Sequence, residues 1–220
     1  MLTNESSVST LSSMESSRQR IIDTALDAFS RYGYKKVEMS DLAEQVGLSR
    51  QGLYRHFSSK EALFHAVVEH VHDTTLALAA AAAQKAAADG PVAVLGALIS
   101  ERFGWFLDRV YGTPHGADLV SESSRQCKSL NAAASQRFAA LLHETVAAQV
   151  RSGHLELRRA GLDAAGLAEL LLRAAYGLKS PDPVPLSAAE FRARLHQLIG
   201  LLCASLIPQR SHAPRTRRSR

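Results

Sequence analysis

Cysteine is scarce: Cys127 and Cys203 are the only two in 220 residues, and no Cys-x-x-Cys spacing links them. That argues against a disulfide framework or a zinc ribbon and suits a reducing compartment. Long apolar runs are missing too. The longest, Leu76 to Ala83, is mostly alanine and far shorter than the roughly 20 residues that span a bilayer, so no membrane association is expected. Met1 to Ser17 is serine-rich and lacks the basic start and apolar stretch of a secretory signal, and we expect a cytoplasmic protein. No segment alternates apolar and polar residues with β-branched enrichment, which argues against strands. Glycine-rich phosphate loops and catalytic triads are likewise lacking. His70 and His72 cannot share a helix face, and His65 and His72 lie two turns apart, so neither pair has metal-ligand spacing. An enzyme, a cofactor and a bound metal are therefore not expected.

What is present is helical periodicity and local charge. The formal net charge is +5, but Arg210, Arg215, Arg217, Arg218 and Arg220 supply all of it, and the rest of the chain is balanced. More telling is the stretch from Gly47 to Lys60, where Arg50, Arg55 and Lys60 occur without any acidic residue; such a surface can meet phosphates. Apolar residues recur at helical spacing almost throughout, and the fold is expected to be all-α with about nine helices. Glycine, proline and capping patterns place these near 18–32, 40–46, 50–56, 59–88, 91–110, 114–126, 131–152, 163–178 and 187–206. Ser16 with Gln19, Ser58 with Glu61 and Ser187 with Glu190 have capping-box spacing, and Leu186 with Phe191 fits a hydrophobic staple. Ser180 to Pro185 reads as a proline-rich loop. The organisation expected is a disordered segment 1–17, a head over 18–65, a larger helical body over 66–207 and a basic disordered tail over 208–220.

The head carries the function. Ile21, Ile22, Ala25 and Phe29 form one apolar face, Leu42 and Val46 a second, and Leu53 and Phe57 a third. Gly47 stops the second helix and Ser49 can cap the third, so the two meet across a very short turn, as in a helix-turn-helix. With Leu53 and Phe57 inward, Arg50, Gln51, Gly52, Tyr54, Arg55 and His56 remain outside. Those donors and that flat aromatic suit base edges and phosphates in a major groove.

This stretch resembles the tetracycline-repressor (TetR) family of bacterial regulators through Ala28-Phe29, Gly33-Tyr34, Asp41-Leu42-Ala43, Gly47-Leu48-Ser49, Gly52-Leu53-Tyr54, His56-Phe57 and Ser59-Lys60-Glu61-Ala62-Leu63. The resemblance implies a homodimer whose recognition helices enter successive major grooves of a palindromic operator on double-stranded DNA. It further implies repression that a small-molecule effector relieves. By position, Arg50, Gln51 and Gly52 would approach bases, Tyr54 and His56 backbone or bases, and Lys60 a phosphate. Where the family commonly has Thr or Ser before the second helix, this chain has Val37 and Glu38, which leaves Ser40 as the substitute contact.

In the body, Phe103, Phe106, Tyr111, His115 and Tyr176 form an aromatic group with a polar member, a candidate pocket for an apolar or aromatic effector. Leu167, Leu170, Leu171, Ala174 and Leu178 make one apolar stripe, and Phe191, Leu195, Leu198, Ile199 and Leu202 another; together they are the candidate dimer interface. Cys127 reads as an inert thiol. Two alternatives stay open: a DNA-organising protein of broad specificity without an effector, and a transcriptional activator.

Overall fold

The computed structural model describes residues 5–180 and 186–208, with side chains from Ser16 onward. The expected arginine tail and most of the proline-rich loop lie outside the described residues. The fold is all-α, and nine α-helices run through the described residues: α1 (Glu5–Tyr32), α2 (Met39–Gln45), α3 (Arg50–His56), α4 (Lys60–Lys85), α5 (Pro91–Phe106), α6 (Gly116–Gln126), α7 (Lys128–Arg151), α8 (Ala164–Lys179) and α9 (Ala188–Ala204). None of them is long and apolar enough to cross a membrane.

Boundaries follow local chemistry. Pro91 begins α5, where its missing N–H costs nothing. Asp163 caps α8 by accepting the Gly166 N–H at 2.7 Å, and Ser187 with Glu190 forms the expected capping box of α9. Two expectations need correction. Ser59, not Ser58, caps α4, accepting the Ala62 N–H at 3.1 Å. Ser16 lies inside α1, which begins at Glu5, so the segment expected to be disordered is helical from there. Serine is a tolerable helix former, and adding turns to an existing helix avoids the cost of nucleation.

Two hydrophobic cores divide the chain. One joins α1 to α3 with the first turns of α4 and gathers Ile21, Phe29, Leu42, Leu53, Phe57 and Phe64; Val110, Leu119 and Cys127 of the body also enter it. The other lies between α5, α7, α8 and α9 around Leu95, Phe138, Leu171 and Phe191. Because Leu119 of α6 is shared with the head, the boundary expected at residue 65 cuts through a packed core. Gly96 and Gly104 let α9 lie close to α5: a Cβ at Gly104 would fall 2.7 Å from the Arg192 guanidinium, which donates to Asp108 Oδ2 at 2.8 Å. After Phe106 the helix widens into a π turn over Leu107–Tyr111, the kind of irregularity often found beside functional sites.

The expected dimer stripes are only partly on the surface. Leu167, Leu171, Phe191, Leu195 and Ile199 are buried within the protomer, since the side of each helix that repeats at i, i+4 and i+8 packs into its own core. Leu170, Leu201 and Leu202 stay exposed, and Ala174, Leu178 and Leu198 are half-buried.

Candidate nucleic-acid interface and ligand cavity

The turn between α2 and α3 is set by Gly47, whose φ of 70° lies in the left-handed region that glycine occupies without strain. Leu48 N–H then reaches back to the Ala43 carbonyl at 2.9 Å, and Arg20 donates to the Val46 carbonyl at 3.2 Å. Ser49 caps α3, its hydroxyl accepting the Gly52 N–H at 3.0 Å. Leu53 and Phe57 are buried, and the Arg18 guanidinium lies over the Phe57 ring at 4.9 Å. This anchoring leaves Arg50, Gln51, Tyr54 and Arg55 exposed on one face, with Gly52 and His56 half-buried beside them. Arg50 is 5.7 Å from the centre of the Tyr54 ring, one turn on, so cation and aromatic form one surface.

Two expected phosphate contacts are placed less simply. Ser40 is exposed in the first turn of α2, but Glu38 caps that helix and Asp41 accepts the Glu38 N–H at 3.3 Å. Two carboxylates beside Ser40 disfavour an anion there. Lys60 is half-buried, with its ammonium 4.8 Å from the Tyr34 ring centre and 3.3 Å from the Lys35 carbonyl. It thereby holds the turn that carries exposed Lys35 and Lys36, two cations that helix patterns passed over because they lie between helices.

Head and body meet where α6 packs on α1; within the head, the Tyr34 ring packs on Phe29 at 5.4 Å and Phe64 at 4.7 Å. His115 sits in this joint. Its N–H donates to the Ser30 carbonyl at 3.0 Å, its ring lies over Gly33, and its Nδ1 is 3.0 Å from Asp118 Oδ2.

Above the joint is a cavity of about 280 Å³. Leu26 of α1 and Phe64 and Val67 of α4 form its head side, while Phe103, Phe106 and Tyr176 form its body side. One wall is polar. The Arg102 guanidinium donates to Thr75 Oγ1 and, at 3.0 Å, to His72 Nδ1. His72 Nε2 is 2.8 Å from Asn131 Oδ1, which assigns the ring proton to Nε2. Burial holds the His72 pKa below its ordinary value, consistent with a neutral ring. Burial also lowers the pKa of Arg102 and of Lys179, the latter further lowered by the Arg102 charge.

Residues 21–67 match the family model described as bacterial regulatory proteins, tetR family. The head of this chain is similar to that of the TetR family. The repressor Rv1474c of Mycobacterium tuberculosis is 30% identical over 95 residues, covering 42% of this chain and 47% of that protein. The regulator RutR of Escherichia coli is 38% identical over 60 residues, 27% of this chain and 28% of that one. The chain thus spans less than half the length of these curated relatives. The fold likeness is broader: a Mesorhizobium loti structure assigned to the TetR-family regulators superposes with a TM-score of 0.68 at 18% identity, covering 88% of this chain and 98% of that one.

In the body the expected pocket is partly assembled. Phe103, Phe106 and Tyr176 line the cavity, but Tyr111 and His115 do not. Tyr111 stacks edge-on against Phe106 at 5.5 Å, and His115 is used at the joint because the π turn before it swings the chain back toward α1. Arg102, Lys179 and His72 were missed as cavity residues. A signal did exist: Glu101 and Arg102 are the only charged residues of α5.

Proposed function

We propose that this chain is a sequence-specific DNA-binding transcriptional regulator that acts as a homodimer on a palindromic operator and is released from it by a small-molecule effector. In this reading residues 18–65 bind DNA, and the body from 66 to 207 holds the effector and the partner subunit. The observation that carries it is the face of α3: Arg50, Gln51, Tyr54 and Arg55 point outward from a capped helix whose apolar residues are consumed in the core. An exposed set of donors at the start of a helix-turn-helix recognition helix is what a major groove accommodates.

The cavity supports the ligand-responsive half of the reading over a purely DNA-organising role. Its walls come from both units, so its contents bear on how the head sits. A ligand that fits one placement of α1 and α4 better than the other shifts the population between them, and one that fits both equally releases nothing. Dimerisation would use the outer faces of α8 and α9, where Leu170, Leu201 and Leu202 are exposed.

The test is a titration of the chain against duplexes selected from random sequence, with unselected DNA as competitor. A regulator keeps a specific-over-random ratio of about 1,000-fold or more; a ratio near one would make it a DNA-organising protein instead.

A further inference from the structure

The cavity's polar groups are unevenly satisfied. Ser124 donates to the Val120 carbonyl at 2.9 Å, Ser135 to the Asn131 carbonyl at 2.8 Å, and Ser123 pairs with Asn131. These groups have partners within the protein. The two cations differ. Of the five N–H groups of Arg102, one is used on Thr75 and one on His72. Lys179 has no anionic partner among the described residues; its ammonium lies among four aromatic rings, 5.1 Å from the centre of Phe106, 5.7 Å from Tyr176 and 5.8 Å from Phe103 and Tyr111. Among the described residues no Asp or Glu lines the cavity.

Two cations sharing a largely apolar cavity repel each other and lose hydration. Packing alone would be served at lower cost by leucine or methionine. Ring faces offset part of that cost for Lys179, and the His72–Asn131 relay fixes the Arg102 fork in one orientation. Among the described residues nothing offers these two cations an anion with acceptor oxygens. The aromatic cage that could hold a ligand's ammonium is already filled by Lys179.

We propose that the cavity takes an apolar monocarboxylic acid, its carboxylate between Arg102 and Lys179 and its hydrocarbon or aryl body against Val67, Val68 and Leu119. The proposal rests on the ligand-responsive reading above and names the chemical class of the effector. Arg102 supplies planar N–H donors matched to a carboxylate; Lys179 supplies a second charge that a neutral ligand cannot use.

Calorimetric titration of the full chain with octanoate, hydrocinnamate, octanol and octylamine tests this. The two acids should bind at least about tenfold more tightly than octanol, with octylamine weakest. Lys179→Met, which keeps an apolar side chain among the rings, should cut octanoate affinity roughly tenfold and leave octanol unchanged. Arg102→Met should act in the same direction, and its circular dichroism spectrum shows whether losing the Thr75 and His72 contacts disturbs the fold. Failure of both acids to bind at millimolar concentration would overturn the proposal. So would octanol or octylamine binding as tightly as octanoate, or an acid preference undiminished in Lys179→Met. Operator titration with octanoate bound separates the two readings. Should the acid bind with the stated preference and leave operator affinity unmoved, the ligand class stands and its role as effector falls.

Discussion

Replacing Gly52 with alanine separates what the fold requires from what a groove requires. Gly52 is the third residue of α3 and is not among the glycines with positive φ, so the backbone there does not demand glycine. In a helix interior alanine is better than glycine by about 1 kcal/mol. Against that gain, the new Cβ would sit 3.3 Å from Ser49 Oγ and 3.6 Å from Leu48 Cβ. A shift of Ser49 by a few tenths of an ångström lengthens the cap bond, and complete loss of such a cap costs about 1 kcal/mol. The two effects nearly cancel, and the melting temperature should move by no more than about 4 °C in either direction. Binding should respond differently. If α3 approaches base edges at Gly52, the methyl group holds the helix off the groove and should cost about 1–3 kcal/mol, a loss of roughly 5- to 150-fold. Fluorescence anisotropy on the selected duplex and differential scanning calorimetry on the same preparations measure both quantities. Unchanged operator affinity together with unchanged melting would refute the placement of Gly52 against DNA. A melting temperature far below the stated range would refute the steric account of the cap.

Arg50→Ala should cost roughly 1–3 kcal/mol on the operator and relax preference at one base position per half-site, read by titrating single-base variants. Lys60→Ala should weaken operator and random DNA alike, lower the salt slope by about one unit per head, and also lower the melting temperature, because Lys60 grips the Lys35 carbonyl and the Tyr34 ring. For the proposed dimer, Leu201→Glu is the informative change: Leu201 is 80% exposed in the protomer, so a folded monomer in analytical ultracentrifugation is expected, and an intact dimer would rule out this face. Burial pushes the Cys127 thiol up, with Glu122 adding to it, and the Cys203 thiol to about 11. Neither should react with Ellman's reagent at pH 8 until denaturant unfolds the chain.

Much of this protein was legible from its residues. Periodicity, Gly47, Ser49 and the Ser187–Glu190 box are local signals, and local hydrogen-bonding chemistry decides helix ends; hence α2, α3, α5 and α9 lie within a few residues of their expected places. The outward set on α3 was also readable, because once Leu53 and Phe57 face a core the remaining directions on a seven-residue helix follow from geometry. Other properties depend on what lies opposite. An apolar stripe states that a helix face will be covered, not by which chain: Leu171 and Leu195 are covered by their own protomer, and Leu201 is left outside. His115 turned toward the head because the π turn redirected the chain. Arg102 and Lys179 are 77 positions apart in sequence, and only the packing of α5 against α8 brings both to one cavity. Charge in a sequence is a property of single residues; its electrostatic meaning is a property of neighbours, and tertiary structure alone supplies those.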